Sequence, residues 1–430
     1  MSEMKNSHSV DTAAPAQLPA PGADGIERVL ALARKHLQMD MAFLGEFSEG
    51  RQIVRWLGGT FGDMPPEAGF SVPLSETFCR LMVAGEIPNA VPDTTAHPAL
   101  AALRSTPGGD IASYVGVPVR LRDGTLYGSF CCISRDPTPV GSGDVRALNL
   151  LAELLTAQVE AEREVEAMRR RIGAILEGQQ IETALQPVVQ LATGRVLGVE
   201  ALSRFGAAGP PDVVFDEAHR AGLGERLETM AVSHAWHALG ILDPAQYLAV
   251  NLTPQVAMAL ADVTVVEEHV DVPWAQVVVE ITEHAAVDCY ARLRRSLAPA
   301  RALGLRLAID DAGAGYASLH HVVELRPDII KIDRSLVDNM ATDSSRRSVV
   351  NAFVALAADL GATTVAEGVE RPADLRVAFE LGVGAAQGYL LGRPSTDRGQ
   401  VGTWLSAGVP LPWSGGGARL AAQRRPGDGI

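Results

Sequence analysis

The sequence predicts an α/β chain of two domains, in which an α+β module precedes a modified TIM-type (β/α)₈ barrel. The chain has 430 residues, more than one hydrophobic core usually supports, which favours two domains. Its first part has short strand patterns between two long helical patterns, whereas its second part alternates apolar runs with helical patterns. A composition of 47% hydrophobic and 20% charged residues is typical of a globular protein.

Net charge and cysteine content exclude several classes of protein. A formal charge of -14 argues against a broad basic surface for DNA, RNA or anionic membranes. Four cysteines are too few for a disulfide framework, and no Cys/His spacing suggests structural zinc. No signal-peptide pattern and no run of eighteen apolar residues is present. We therefore expect a cytoplasmic protein without a membrane span.

The first domain is predicted between residues 25 and 160, after a disordered tail, rich in Ser, Ala and Pro, at 1–24. A helix over 26–38 precedes strands at 41–47, 52–59, 114–121 and 126–134, and residues 122–124 form a hairpin turn. A second helix is predicted over 142–171. Residues 161–178 form a linker helix, which either pairs with its copy as a short coiled coil in a homodimer or remains a solvated helix.

The second domain is predicted between residues 179 and 407. Apolar runs of five to seven residues alternate with helical patterns there, which indicates a parallel sheet with buried strands. A length of about 230 residues suits a closed barrel of eight βα units. Residues 408–430, rich in Gly and Arg, are predicted to be a flexible tail.

Acidic and amide side chains follow the predicted strands of the second domain. In a parallel barrel the carboxyl ends of the strands open onto one face, so these residues converge. One acid at such a place is usually a helix cap or a loop residue, but six at consecutive strand ends indicate a metal site. Carboxylates in a group need a cation, and an all-oxygen set favours Mg²⁺ or Mn²⁺. The residues are Glu200, Asn251, Glu280, Asp310, Asp311, Lys331, Asp333, Glu367 and Gln387.

Seven segments resemble the EAL family of cyclic di-GMP phosphodiesterases. They are LQPVVQLATGRVLGVEALSRF (185–205), NLTP (251–254), VVVEITE (277–283), AIDDAGAGYASL (308–319), RPDIIKID (326–333), VAEGVE (365–370) and QGYLLGRP (387–394). The resemblance implies a barrel that hydrolyses cyclic di-GMP to linear pGpG. The pattern of residues 25–160 resembles a GAF domain, a small sensor module that would regulate the barrel, and no motif identifies its ligand.

The resemblance also implies roles for the matched residues. Two divalent ions, Mg²⁺ or Mn²⁺, would share Asp310. The first would be held by Glu200, Asn251, Glu280 and Asp310, and the second by Asp310, Asp311 and Asp333. Catalysis would depend on Glu367 as general base, on Lys331 to orient the attacking water, and on Gln387 to complete the site. Substrate contacts would come from Gln186, Leu202 and Arg204.

The loop after the acidic pair departs from the family pattern. The family commonly has DFGTGYSSL, and this chain has DAGAGYASL at 311–319, with Ala312 in place of an aromatic residue and Ala314 in place of threonine. Glu283 stands where the family steadies this loop, as a supporting residue and not a metal ligand. Because no metal ligand changes, we expect altered regulation or rate and not inactivity.

Several alternatives remain open at this stage. Asn251 could cap the turn that follows it, Lys331 could lie at the surface, and Arg204 could pair with a nearby acid. The domain as a whole could be a receptor that binds cyclic di-GMP without turnover, or a scaffold for protein interactions. No signature of a cyclic di-GMP synthase is present.

Overall fold

The computed structural model describes residues 23–62, 67–101, 103, 111–260, 272–282, 289–313 and 318–413. The predicted tails at 1–24 and 408–430 fall mostly outside these residues. The chain divides into two compact units between Ala167 and Met168. Each unit is described by itself below. Within the part of the chain that the structure describes, no helix combines the length and the apolar character that crossing a membrane requires.

The first unit is built on an antiparallel sheet of six strands in the order β3-β2-β1-β6-β5-β4. Its elements are α1 (Ala23–Leu37), β1 (Met41–Ser48), β2 (Arg51–Gly59), β3 (Ser71–Pro73), α2 (Phe78–Val83), β4 (Ala90–Val91), α3 (Pro98–Ala101), β5 (Ser113–Arg120) and β6 (Leu126–Ser134), followed by α4 (Ser142–Glu177), which runs on into the second unit. The four predicted strands and both predicted helices are confirmed, and the second helix extends six residues beyond its predicted end.

Both faces of this sheet are covered. Ile26 and Leu30 of α1 and Leu155 of α4 pack on one face, with Val115 and Val117 of β5. Phe43, Phe78 and Tyr114 pack on the other. Because side chains alternate along a strand, consecutive residues of β6 are buried in different cores. The almost uninterrupted apolar character of this strand follows from that double burial.

The second unit is a closed barrel with the strand order β7-β8-β9-β10-β11-β12-β13-β14, in which β14 pairs with β7. The strands are β7 (Glu182–Gln190), β8 (Val196–Arg204), β9 (Tyr247–Asn251), β10 (Val277–Thr282), β11 (Arg306–Ala312), β12 (Ile329–Ile332), β13 (Thr363–Ala366) and β14 (Ala385–Ala386). The predicted eight-stranded barrel is confirmed.

One strand corrects the expectation of a parallel sheet. β7 runs antiparallel to both of its neighbours, β8 and β14. Only five residues separate β7 from β8, and a connection that short joins antiparallel strands, since parallel strands require a crossover of a dozen residues or more. Gly194 makes the turn with φ +74°, a left-handed conformation that glycine adopts without strain.

Helices surround the barrel and bury its outer surface in one large apolar cluster. They are α5 (Pro211–Arg220), α6 (Gly224–Ala235), α7 (Pro254–Leu260), α8 (Tyr290–Ala302), α9 (Ser318–Leu325), α10 (Arg334–Val337), α11 (Ser344–Leu360), α12 (Pro372–Glu380) and α13 (Arg398–Ala407). Several begin at an aspartate whose side chain accepts hydrogen bonds from the first turn, as Asp343 does for α11 and Asp397 for α13.

A second, smaller cluster fills the inside of the barrel. It consists of inward-facing apolar residues, two from β9 and one from each of six other strands: Val188, Tyr247, Ala249, Val278, Ala308, Ile329, Val365 and Ala385. Gly198 makes room for Tyr247, because a Cβ at this glycine would lie 2.5 Å from the tyrosine ring. The polar residues at the end of the barrel lie next to this packed apolar interior.

Candidate active site

The predicted site residues line one open end of the barrel. Side chains two positions apart share a face of a strand, so the residue two positions beyond each inner-core residue also points inward. By this rule Ala249, Val278, Ala308, Ile329, Val365 and Ala385 are followed by Asn251, Glu280, Asp310, Lys331, Glu367 and Gln387. Gly198 is followed by Glu200 in the same way. The convergence predicted from the sequence is therefore present.

Lys331 stands at the centre of this group and is only 2% exposed. Its Nζ lies 2.7 Å from Glu280 Oε2, 2.9 Å from Glu367 Oε1, 3.0 Å from Asp310 Oδ1 and 3.5 Å from Glu200 Oε2. Four carboxylates from four strand ends thus surround one ammonium group. The alternative of a surface lysine is wrong.

This group has four carboxylates and only one ammonium group, so its negative charges outnumber its positive charge. Burial raises the pKa of the Glu280 carboxyl well above its ordinary value; Lys331 opposes this rise, and Glu200 and Asp310 add to it. Burial raises the pKa of Glu367 in the same manner. Burial would lower the pKa of Lys331, but the four carboxylates outweigh that effect and hold it well above its usual range. The lysine stays charged, and the carboxylates require either protons or a further cation.

Amide side chains also hold Glu200 in place, in addition to Lys331. Asn251 Nδ2 donates to Glu200 Oε1 at 2.7 Å, and Gln387 Nε2 donates to Glu200 Oε2 at 2.6 Å. Gln387 also donates to Gln186 Oε1 at 2.9 Å, and Gln186 donates to the carbonyl of Gly392. Glu200 is buried, at 5% exposure, and these partners hold both of its oxygens in place.

The adjacent acids Asp310 and Asp311 lie in an irregular part of β11. The pairing of β11 with β12 shifts between Ile309 and Ala312, and Asp311 has φ 55°. In a regular strand two neighbours would face opposite sides. Here the bulge brings both carboxylates to one side, because ligand atoms of Asp310, Asp311 and Glu367 lie within 4.8 Å of one another.

Other predicted residues lie at the edge of this group. Asp333 follows β12, and its side chain accepts a hydrogen bond from the backbone of Ser335 at the start of α10. Among the described residues Asp333 joins neither group of acids that could hold a metal ion. Leu202 and Arg204 are partly exposed near the end of β8. Glu283 and Ala314 lie outside the described residues.

Arg204 and Asn251 do not take the structural roles that were open to them. Within the described ranges, no carboxylate forms an ion pair with Arg204, whose Nη1 donates to the carbonyl of Ser203 at 2.8 Å. Thr253, and not Asn251, contributes the side-chain oxygen at the start of α7, at 3.5 Å from the nitrogen of Val256. Both side chains therefore remain candidates for the site.

Sequence reasoning missed one supporting residue, Glu228, and left unused a further signal for Lys331. Glu228 of α6, 5% exposed, accepts hydrogen bonds from the backbone and hydroxyl of Thr253 and steadies the turn after Asn251; an acid on an amphipathic helix gives no signal of this. For Lys331 a signal exists. The chain has 37 Lys and Arg residues, of which only Lys5, Lys35 and Lys331 are lysines. A lysine in so arginine-rich a chain suggests a need for a compact charge.

The residues fit a hard divalent cation. Ligand atoms of Glu200, Glu280 and Asp310 lie within 4.8 Å of one another, and Asp310 also belongs to the group with Asp311 and Glu367. The donors are carboxylate and amide oxygens, without sulfur or imidazole, as Mg²⁺ and Mn²⁺ prefer. Because the buried carboxylates outnumber the single ammonium group of Lys331, a divalent cation would balance their charge.

The chain belongs to the EAL domain family, which it matches over residues 166–394, more than half of its length. Residues 24–159 match the GAF domain family. The resemblances inferred from the motifs are thereby confirmed.

The chain is also similar to individual proteins and solved structures. The cyclic di-GMP phosphodiesterase RocR of Pseudomonas aeruginosa is 32% identical over 240 residues, which cover 52% of this chain and 59% of that protein. The Klebsiella pneumoniae protein BlrP1, solved as a manganese/cyclic di-GMP complex, is 32% identical with a TM-score of 0.45, over 51% of this chain and 57% of that one. The EAL enzyme Bd1971 is similar in fold, with a TM-score of 0.53 at 18% identity, over 86% of this chain and 93% of that one. The chain spans about half the length of the curated relatives that it matches.

Proposed function

We propose that the barrel hydrolyses cyclic di-GMP to linear pGpG with the help of two divalent metal ions, Mg²⁺ or Mn²⁺, under the control of the GAF domain. The observation that carries this proposal is the buried group of four carboxylates around Lys331, at the open end of an EAL-family barrel. The name of the related P. aeruginosa protein supports the choice of substrate. A homodimer, and a cytoplasmic location where such a messenger is made and degraded, belong to the same proposal.

The family resemblance assigns six metal ligands, and the two acid groups contain four of them, Glu200, Glu280, Asp310 and Asp311. Glu200, Asn251, Glu280 and Asp310 would hold one ion, and Asp310, Asp311 and Asp333 would hold the other. Such ions would supply positive charge to the phosphate and to the attacking water. Asp333 would have to keep or give up its hydrogen bond from the backbone of Ser335, which caps α10.

The remaining polar groups have distinct tasks in the hydrolysis. Glu367 accepts the proton of the attacking water, and its carboxylate is held in the site 2.9 Å from Lys331 Nζ. Lys331 orients that water and keeps the surrounding carboxylates in position. Gln387 has a buried Oε1 without a hydrogen-bond partner among the described residues, which can accept a hydrogen bond from the substrate or the water. This unmade bond favours a ligand at the site.

Substrate contacts are assigned to Gln186, Leu202 and Arg204. The guanidinium of Arg204 is a planar cation suited to two phosphate oxygens. Leu202 lies beside it on β8, partly exposed, and offers apolar contact to a base or ribose. Gln186 accepts a hydrogen bond of 2.9 Å from Gln387 and pairs with Glu200 across β7 and β8.

The test is turnover by the full chain. The purified protein is incubated with cyclic di-GMP and either Mg²⁺ or Mn²⁺, and pGpG is followed by chromatography. Glu200→Ala should abolish product, whereas Glu380→Gln, at an exposed position on α12, should leave the rate unchanged. Binding of cyclic di-GMP without pGpG would replace the proposal by a receptor, and absence of both would leave a scaffold.

A further inference from the structure

A second group of reactive side chains lies in the first unit, around a cavity of about 290 Å³. Apolar side chains such as Phe43, Val54 and Phe78 form most of the lining, and the buried polar residues Gln52 and Cys79 also face it. Glu76, which is exposed, lies at the edge of the cavity. A liquid water molecule occupies about 30 Å³, so this space admits several small molecules.

Two cysteines distant in sequence meet beside this cavity. Cys79 Sγ lies 3.2 Å from Cys131 Sγ, and the two residues are 2% and 0% exposed. The hydroxyl of Tyr114 lies 3.2 Å from Cys131 Sγ, and Gln52 Nε2 donates to Cys79 Sγ at 3.4 Å. The thiols are thus in direct contact and share polar partners within an otherwise apolar core.

Two glycines provide the space that this arrangement needs. A Cβ at Gly116 would lie 2.1 Å from the Tyr114 hydroxyl and 3.0 Å from Cys131 Sγ, and a Cβ at Gly45 would lie 2.7 Å from Gln52 Nε2. A Cβ at either position would displace the polar side chain beside it. The strands β1 and β5 therefore leave room for the polar group, which an ordinary apolar core would have filled.

The environment makes the two thiols unequal. Burial would raise the pKa of Cys79, but hydrogen bonds from Cys131, Ser129, Gln52 and Tyr114 outweigh this effect and lower it to about 7. Burial raises the pKa of Cys131 well above its usual range, and the neighbouring Cys79 raises it further. One thiol is therefore suited to act as the attacking thiolate, and its neighbour to react second.

We infer that Cys79 and Cys131 form a dithiol that a hydroperoxide such as hydrogen peroxide converts into a disulfide. The Cys79 thiolate attacks one peroxide oxygen, the O–O bond breaks, and the leaving hydroxide takes up a proton to become water. The resulting Cys79 sulfenic acid is attacked by Cys131 Sγ, the S–O bond breaks, and the proton of the Cys131 thiol leaves with the hydroxyl group as a second water. The two cysteines together lose two electrons and two protons, and one peroxide becomes two waters.

The other two cysteines provide internal controls. Cys132, next in sequence, faces the opposite core of the sheet, and burial raises its pKa to about 12. Cys289 is exposed in the second unit. A Cys132→Ala/Cys289→Ser background keeps only the proposed pair and makes every oxidised peptide unambiguous.

The experiment uses the full chain in this background, reduced and then freed of reductant. One equivalent of hydrogen peroxide is added at several pH values, free thiols are alkylated under denaturing conditions, and peptides are mapped by mass spectrometry. We expect a Cys79–Cys131 crosslink, a loss of two hydrogen masses, and reversal by dithiothreitol. Oxidation should become about tenfold faster between pH 6 and pH 8, because the thiolate fraction of a thiol with pKa near 7 rises by that factor.

Two variants separate the attack of Cys79 on the peroxide from the later attack of Cys131 on the sulfenic acid. In Cys131→Ser, Cys79 should stop at the sulfenic acid, which dimedone traps; should this variant not fold, the peptide map of the background protein still decides. Gln52→Leu removes a hydrogen-bond donor to Cys79. The pH dependence of the oxidation rate should therefore shift to higher pH, and oxidation at pH 7 should slow severalfold. The inference would be overturned if, in the natural chain, a peroxide treatment oxidised Cys289 but left Cys79 and Cys131 as free thiols. It would also be overturned if Cys79 were oxidised but never formed a crosslink.

Discussion

Lys331 is the residue on which the charge of the barrel site depends most. Removing one partner of a buried ionic group costs about 3–5 kcal/mol, because the other charges remain buried without compensation. For Lys331→Met we also expect turnover of cyclic di-GMP to fall by about 100-fold, because Lys331 is assigned to orient the attacking water and a misplaced reactant costs a factor of that order. The metal-free variant should unfold at a lower urea concentration at pH 8.

A matched control is available in the same chain. Lys35 is exposed on α1, and Lys35→Met makes the same chemical change without touching a buried charge. It should leave both turnover and the urea midpoint unchanged. Equal losses from the two substitutions would mean that the ammonium group of Lys331 has no special role.

The raised pKa values of Glu280 and Glu367 predict how stability depends on pH. Both acids have an ordinary value of 4.5 and titrate well above it in the folded protein. Above pH 4.5 the folded state then holds more protons than the unfolded state, so stability falls as pH rises. The pKa of Lys331 is also raised, but its contribution stays complete below 10.5 and does not vary in this window.

We therefore expect the metal-free protein to lose stability between about pH 5 and pH 8, measured by urea unfolding in the presence of a chelator. Mg²⁺ or Mn²⁺ should restore more stability at pH 8 than at pH 5, since the ion replaces the missing protons. The double variant Glu280→Gln/Glu367→Gln should lose most of this slope. A slope that is the same in the double variant would assign it to other groups.

At the scale of elements, the sequence predicted the four long strands of the first unit, the eight-stranded barrel and the end of the barrel at which the acids meet, but not the short strands β3 and β4. The direction of β7 was predicted wrongly, because the apolar pattern of a buried strand is the same in either direction; the signal lay in the five-residue connection to β8, which is too short for a parallel crossover. The sequence could not predict how Asp310 and Asp311 both reach the site, since alternation allows only one of two neighbours to face inward. The left-handed backbone of Asp311 provides the answer, and that conformation has no signature in a residue other than glycine.

The packing around Ala312, at the end of β11, predicts what happens when an aromatic residue is placed there. This alanine is fully buried in the outer core of the barrel. The next residue, Gly313, is already close to Phe353, since a Cβ there would lie 3.2 Å from its Cε2. Ala312→Phe should therefore overpack the core and lower the free energy of unfolding by about 1–3 kcal/mol.

Urea unfolding of Ala312→Phe beside Ala312→Ser measures this cost. The serine changes the volume little, so a large loss confined to phenylalanine identifies overpacking. Turnover of cyclic di-GMP by the same variants shows whether this loop limits the rate. A phenylalanine variant as stable as the natural chain would mean that the core holds the aromatic ring that the family pattern has here, and that the loop has lost an anchor.

On the scale of the whole molecule, the chain consists of two units with separate cores and separate chemistry. The division between Ala167 and Met168 lies within the helix that the sequence predicted as a linker. The thiol pair of the first unit was not predictable, because Cys79 and Cys131 are 52 residues apart and an apolar strand gives no sign of which face a cysteine takes. The group of acids in the barrel was predictable because its residues recur at one position of a repeated unit.

Separate cores predict separate responses to metal. A ligand stabilises only the unit whose folded state binds it, by about 2.7 kcal/mol at a concentration of one hundred times its Kd. A gain of that size should raise the Tm of the barrel by roughly 5–10 °C. Calorimetry of the full chain should therefore show two transitions, of which Mn²⁺ or Mg²⁺ moves only one. Glu280→Gln should remove that shift and leave the other transition in place, whereas a single transition that moves as a whole would mean that the two units unfold together.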